Sequence, residues 1–147
     1  MAAPPTFSFC APSNSGKTTF LCELIKILKA ANYKIGVGKS CHHPLKDDDT
    51  ESDTRRFREA GADIVTTIVI KSDWPKIKES MKEMDIILVE GGRKLGEKII
   101  LFAGWKQDTE WFKPKAAEWD LSDINDPLHE TVRLLIQAIK QYTAPRK

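Results

Sequence analysis

Apolar and polar positions switch along this chain between a strand-like and a helix-like period, and the switches set out a series of alternating elements. Thr6 to Cys10 is a short apolar run that reads as a central strand through Phe7, Ser8, Phe9 and Cys10. From Thr18 to Ala31, Phe20, Leu21, Leu24, Ile25 and Leu28 share one helical face while Glu23, Lys26 and Lys29 share the other. This helix should bury its first face on a sheet, and Asn32 is placed to stop it. Lys34 to Lys39 (KIGVGK) reads as a second strand whose two glycines let a neighbouring backbone or ligand come close. Ser40 to Ser52 has no clear period and predicts a long loop, including the acidic run Asp47 to Asp49. Asp53 to Ala60 (DTRRFREA) predicts a short helix stopped by Gly61, and Ala62 to Ile70 (ADIVTTIVI) a β-branched strand. Ser72-Asp73-Trp74-Pro75 starts a helix to about Met84, with a cap candidate before a proline at an early helical position.

Asp85 to Glu90 (DIILVE) is almost continuously apolar and closes on an acid, as expected of a strand buried on both faces of a parallel sheet. Gly91-Gly92-Arg93-Lys94 forms the turn after it. Lys98 to Gly104 (KIILFAG) is a further strand, Ala116 to Asp120 a short edge strand, and Asp126-Pro127 caps a helix carrying Leu128, Val132, Leu135 and Ile139 at helical spacing. Strands alternating with helices predict an α/β fold, a three-layer, mostly parallel sheet with helices on both faces. The chain has 147 residues and no repeat or linker, which predicts a single domain over residues 1–147.

Candidate chemistry enters with Ala11-Pro12-Ser13-Asn14-Ser15-Gly16-Lys17-Thr18-Thr19, which fits the phosphate-binding loop pattern with alanine in place of the first glycine and makes the single domain a nucleotide-binding one. Its setting between a strand and a helix is the one that gives the motif meaning. A wide loop aims successive N–H groups at phosphate oxygens, and the helix adds the positive end of its dipole. Asn14, Ser15, Gly16, Lys17, Thr18 and Thr19 are therefore the phosphate-binding candidates, Lys17 reaching the β- and γ-phosphates and the Thr18 hydroxyl ligating Mg²⁺. The alternative is an ordinary Ser/Gly turn before a helix.

Ligands of open α/β sheets sit beyond the carboxyl ends of the strands, and this sorts the acids. Glu90 ends its strand on that edge, where it can hold a Mg²⁺-bound water or orient the attacking one; with Lys17 it forms the candidate catalytic pair. Its alternative is a salt-bridged strand-end acid. Asp85 opens the same strand at the far side and reads as a cap or turn residue. Lys39 ends its strand on the same edge as Glu90 and can face phosphate or a second substrate, or be a surface lysine. Cys41, His42 and His43 are adjacent in sequence, so in extended chain they point in opposite directions and do not easily grip one ion; substrate contact or a plain loop remains. Lys106-Gln107-Asp108 stands where guanine-specific proteins place Lys-x-Asp, making Lys106 and Asp108 base-binding candidates, although the same pattern recurs at Lys46 and Lys71.

Composition adds mainly exclusions. The net charge of +2 with scattered basic residues argues against a nucleic-acid partner. No apolar run is long enough to span a bilayer, and Met1-Ala2-Ala3-Pro4-Pro5 lacks the regions of a signal peptide. The three cysteines form no CxxC pair and suit a reducing compartment. Cytoplasm is the expected location, with no membrane association.

The motifs taken together resemble the molybdopterin-guanine dinucleotide biosynthesis protein B family (MobB). Those that carry the resemblance, in the family's order, are Ser13-Asn14-Ser15-Gly16-Lys17-Thr18-Thr19, Lys39 to His43 as Lys-x-x-His-His, Asp53-Thr54-Arg55-Arg56 followed by Arg58-Glu59-Ala60-Gly61-Ala62, Leu88-Val89-Glu90-Gly91, and Lys98-Ile99. The resemblance implies a P-loop NTPase-type fold and a GTP-binding, weakly GTP-hydrolysing accessory protein of molybdenum cofactor biosynthesis. Such a protein assists attachment of GMP to molybdopterin, partners a molybdopterin guanylyltransferase of the MobA type, and forms a homodimer. It further implies GTP and Mg²⁺ as cofactors, with Thr18 and Glu90 in the metal region. Lys39, His42, His43, Asp53 and Arg56 would then line the face toward phosphate or the pterin. The rival readings are a small P-loop phosphotransferase acting on a metabolite and a nucleotide-binding assembly protein without turnover.

Overall fold

Six strands form one sheet in the order β3-β2-β4-β1-β5-β6, and every neighbouring pair runs parallel. The computed structural model describes residues 3–10, 16–40, 48–92, 94–101, 117–120 and 126–143. In chain order the elements are β1 (Thr6–Cys10), α1 (Lys17–Ala30), β2 (Ile35–Ser40), α2 (Asp48–Ala60), β3 (Ile64–Ile68), α3 (Trp74–Ser80), β4 (Ile86–Glu90), β5 (Lys98–Leu101), β6 (Ala117–Asp120) and α4 (Pro127–Thr143). The two innermost strands, β4 and β1, are buried along their whole length. That burial is why Ile86 to Val89 carries no polar residue: both faces of the strand need apolar cover.

The alternation of side chains sends β4 into two cores. Ile86 and Leu88 join Phe7, Phe9, Ile35 and Val37 beneath α1, α2 and α4. Ile87 and Val89 point the other way, to Trp74, Met81 and Met84 at and beyond α3. The glycines of β2 belong to this second face. A Cβ on Gly36 would stand 2.8 Å from the Met81 sulfur, and one on Gly38 would stand 2.8 Å from the Ile68 Cδ1. Gly36 admits a side chain of the covering layer and Gly38 one of the neighbouring strand β3, not the ligand or backbone that the sequence suggests.

Local signals end the helices as expected. Asn32 takes φ 68°, and Tyr33 N donates to Leu28 O at 3.2 Å. Gly61 at φ +116° lets Ala62 N reach Phe57 O at 3.1 Å. Asp126 caps α4, its Oδ1 accepting from His129 N at 3.3 Å.

Several boundaries differ from the sequence reading. α2 starts at Asp48, not Asp53, so part of the expected loop is helix. Its start falls in the polar stretch Asp48 to Ser52, which has no apolar period by which the sequence marks a helix. α3 stops at Ser80, and its start is a 3₁₀ turn, Lys71–Asp73, in which Asp73 makes no side-chain cap. The short α3 ends in successive turns, Met81 N to Lys78 O and Met84 N to Met81 O, that bring Met81 and Met84 onto Gly36. β3 is trimmed at both ends of the expected run, leaving Val69 and Ile70 exposed.

Asp63, just before β3, fastens three elements. Its Oδ2 accepts from Ile35 N at 2.8 Å and its Oδ1 from Lys29 Nζ at 2.7 Å. Burial raises its pKa, but the Lys29 ammonium and the Ile35 N–H outweigh that and hold the carboxyl below its usual value. A group with a depressed native pKa stabilises above its unfolded value and loses that contribution as pH falls through the native one. Asp63→Ala should therefore cost about 1 to 3 kcal/mol at neutral pH by stranding the Ile35 N–H. The urea midpoint of the variant should approach that of the parent below about pH 3.9; equal midpoints at neutral pH would reject the fastening role.

Candidate functional site

Parallel pairing puts the carboxyl ends of β1, β2 and β4 on one edge, and register decides which side chains meet there. Glu90 is the register partner of both Phe9 and Lys39. Register neighbours project from the same face of a sheet about 4.8 Å apart, so the Glu90 carboxylate and the Lys39 ammonium are forced together beneath the start of α1. They form an ion pair of 2.6 Å, with Glu90 only 3% exposed. The floor is apolar: Phe9 is buried and its ring lies 6.4 Å from that of Phe20.

α1 begins over this edge. Gly16, at φ +86°, precedes the first turn, and its carbonyl accepts from Phe20 N at 3.0 Å. The turn carries Lys17, Thr18 and Thr19. The Thr18 hydroxyl donates to Glu90 Oε2 at 3.0 Å while Lys39 holds Oε1. Burial lowers the Lys17 pKa and the Lys39 charge lowers it further, against the attraction of Glu90. For Lys39, burial pulls the pKa down, but the Glu90 and Asp53 carboxylates more than offset it and the net shift is upward. One ammonium is thus well compensated and the other is not. Lys17 at the N-terminal end of a helix is a seat for an anion.

α2 closes one side. Asp53 Oδ2 stands 3.1 Å from Lys39 Nζ, and one turn later Arg56 donates to the Thr19 hydroxyl at 2.9 Å. The structure therefore brings together Gly16, Lys17, Thr18, Thr19, Lys39, Asp53, Arg56 and Glu90. It also corrects the open surface-lysine alternative for Lys39, which is 16% exposed and held by two acids. Asp85, at the opposite edge, accepts from Lys34 N at 2.7 Å as a turn residue. Asn14, Ser15, Cys41, His42, His43, Lys106 and Asp108 lie outside the described residues.

A hydroxyl and a buried carboxylate 3.0 Å apart are hard oxygen donors, the chemistry that suits Mg²⁺. Among the described residues no group of three His, Cys, Asp or Glu side chains is placed to hold a metal by itself. Magnesium usually keeps several waters and takes substrate phosphate oxygens beside one or two protein ligands, so Thr18 and Glu90 fit it without such a group.

One contact was not foreseen from sequence. Glu97 accepts from Trp74 Nε1 at 2.8 Å and pairs with Lys78 at 2.8 Å, tying the β4–β5 connection to α3. That connection passes β1 closely: Gly91 N donates to Phe9 O at 2.9 Å. No spacing in the sequence marks Glu97, because its partners are about 20 residues away on another element.

A family model described as Molybdopterin guanine dinucleotide synthesis protein B matches residues 6–118. Two relatives are described as molybdopterin-guanine dinucleotide biosynthesis adapter proteins. The one from Escherichia coli strain K12 is 32% identical over 115 residues, covering 67% of this chain and 65% of its own length. The one from Haemophilus influenzae is 31% identical over 108 residues, covering 71% and 58%. The chain thus spans about two thirds or less of each. Among solved structures, a de novo designed P-loop NTPase fold aligns over 94% of both chains with TM-score 0.55 and 16% identity. HypB from Helicobacter pylori, in complex with nickel, aligns over 95% of this chain and 89% of its own with TM-score 0.56 and 16% identity. These likenesses show a P-loop NTPase fold. Among the described residues, no helix is long and apolar enough to cross a membrane.

Proposed function

This chain belongs to the molybdopterin guanine dinucleotide synthesis protein B family, and from that membership we propose that it is a GTP-binding accessory protein of molybdenum cofactor biosynthesis. In this reading it assists attachment of GMP to molybdopterin, works with a molybdopterin guanylyltransferase, and acts as a homodimer in the cytoplasm. The observation that carries the nucleotide part is the Thr18–Glu90 pair beside the under-compensated Lys17 at the start of α1.

Residues 14–19 hold the phosphates, with Gly16 turning the chain and Lys17 supplying charge. Thr18 would ligate Mg²⁺, and Glu90 would hold a water bound to it. The ion, when bound, neutralises charge that develops on the phosphate oxygens. Arg56 of α2 and Lys39 of β2 are the cations nearest the proposed phosphate site; by the family resemblance His42 and His43 serve the phosphate or pterin, and Lys106 and Asp108 the base.

Weak hydrolysis follows from how the cations are spent. Fast phosphoryl transfer needs mobile positive groups closing over the phosphates. Here Lys39 is tied to Glu90 and Asp53, and Arg56 to Thr19. The test is equilibrium affinity for GTP against ATP with Mg²⁺ present. GTP should bind at least about tenfold tighter, a preference worth about 1.4 kcal/mol. A clear ATP preference would reject this reading and favour a metabolite phosphotransferase. The partner part is tested by pull-down of a molybdopterin guanylyltransferase in GTP; no capture of either the transferase or molybdopterin would reject the accessory role.

A further inference from the structure

The charged groups around Glu90 do not pair one to one. Lys39 lies between two acids from different elements, 2.6 Å from Glu90 and 3.1 Å from Asp53. Glu90 in turn is shared, Oε1 with Lys39 and Oε2 with Thr18. The carboxylate and hydroxyl that suit a magnesium ion are thus already engaged with groups of this chain, one of them a cation. A dication beside Thr18 and an ammonium in contact with the same buried carboxylate repel strongly where water is scarce.

Lys39 has somewhere to go. Asp53 already touches its Nζ and is 19% exposed against 3% for Glu90. The ammonium can therefore leave Glu90 and keep an ionic partner without returning to bulk water. Asp53 also sits one turn from Arg56, which holds Thr19 on the phosphate-loop helix, so α2 is fastened to the site at two points.

Resting on the reading of Thr18 and Glu90 as the cation site, we infer that Lys39 is a resident counter-cation of Glu90 in the nucleotide-free protein. Asp53 is the positioning residue that takes Lys39 over when Mg²⁺ and triphosphate bind. The exchange makes α2 responsive to nucleotide, because one of its two attachments changes strength with the charge at Glu90.

The experiment is equilibrium binding of GTP carrying a fluorescent N-methylanthraniloyl group, first in chelator and then with Mg²⁺ titrated in. Asp53→Asn leaves Lys39 on Glu90 alone, so the Mg²⁺ half-saturation point should rise about tenfold, the size of one partly buried ionic contact. In chelator its GTP affinity should rise by about two- to threefold, because one negative charge beside the triphosphate is gone. Lys39→Gln removes the competing cation and should do the opposite, lowering the Mg²⁺ midpoint while weakening GTP in chelator. Loss of structure would weaken both measures in both variants, so opposite shifts separate exchange from damage. An unchanged Mg²⁺ midpoint in Asp53→Asn, or shifts of the same sign in both variants, overturns the exchange and leaves the nucleotide site standing. No GTP binding by the parent protein in either condition overturns the site and the exchange together.

Discussion

Lys17→Ala should weaken GTP binding by about a hundredfold to a thousandfold, the loss of about 3 to 4 kcal/mol that follows removal of one desolvated charge partner. The melting temperature without nucleotide should stay level or rise. Both parts come from the same geometry. Lys17 opens α1, where the dipole is positive, and burial and the Lys39 charge lower its pKa. An ammonium so placed is costly to the folded protein until an anion arrives, so its deletion removes that cost. Lys39 cannot substitute, since it is held by Glu90 and Asp53. Titration calorimetry and a thermal melt check the two parts. Unchanged affinity would refute the phosphate assignment, and a melting temperature lowered by several degrees would show that Lys17 serves the fold.

How far the sequence foretold this arrangement depends on whether an element is defined by its own pattern or by its neighbours. Ile86 to Glu90 is legible from its composition within a chain of alternating strands and helices: an apolar run there is an inner parallel strand, and its terminal acid falls on the ligand edge. Leu21, Leu24, Ile25 and Leu28 likewise announce a buried face, and all four are buried. The first turn of α2 carries no such pattern, because Asp48 to Ser52 holds no apolar residue to set a period. The end of α3 is not legible in the sequence, because Met81 and Met84 keep a helical spacing while dropping onto the glycine face of β2. The site shows the same division. Strand order alone puts Lys39 and Glu90 on one edge, but their 2.6 Å contact needs the register, and the Asp53 contact needs the packing of α2 beside the end of β2.

Glu90→Gln should abolish most of the gain in GTP affinity on adding Mg²⁺ while leaving binding in chelator equal or tighter. The amide keeps the size of the side chain and can still accept from Thr18, so what is lost is the charge. Without it the Thr18 hydroxyl offers a dication little, and a triphosphate no longer meets a negative group beneath it. The fold should weaken by about 1 to 3 kcal/mol, less than for a fully orphaned buried ion, because Lys39 keeps Asp53. The pH dependence identifies the source of that loss. Lys39 has a raised native pKa, although burial acts to lower it, because Glu90 and Asp53 outweigh burial. A group raised in the native state stabilises fully below its unfolded pKa and loses that contribution as pH climbs through the native value. From neutral pH up to about pH 10.4 the stability gap between parent and Glu90→Gln should therefore be constant, and above that it should narrow. Urea unfolding across the alkaline range reads this directly. Parallel curves would mean that Glu90 and Lys39 contribute packing and hydrogen bonds but no ionic coupling, and a retained Mg²⁺ gain would remove Glu90 from the cation site.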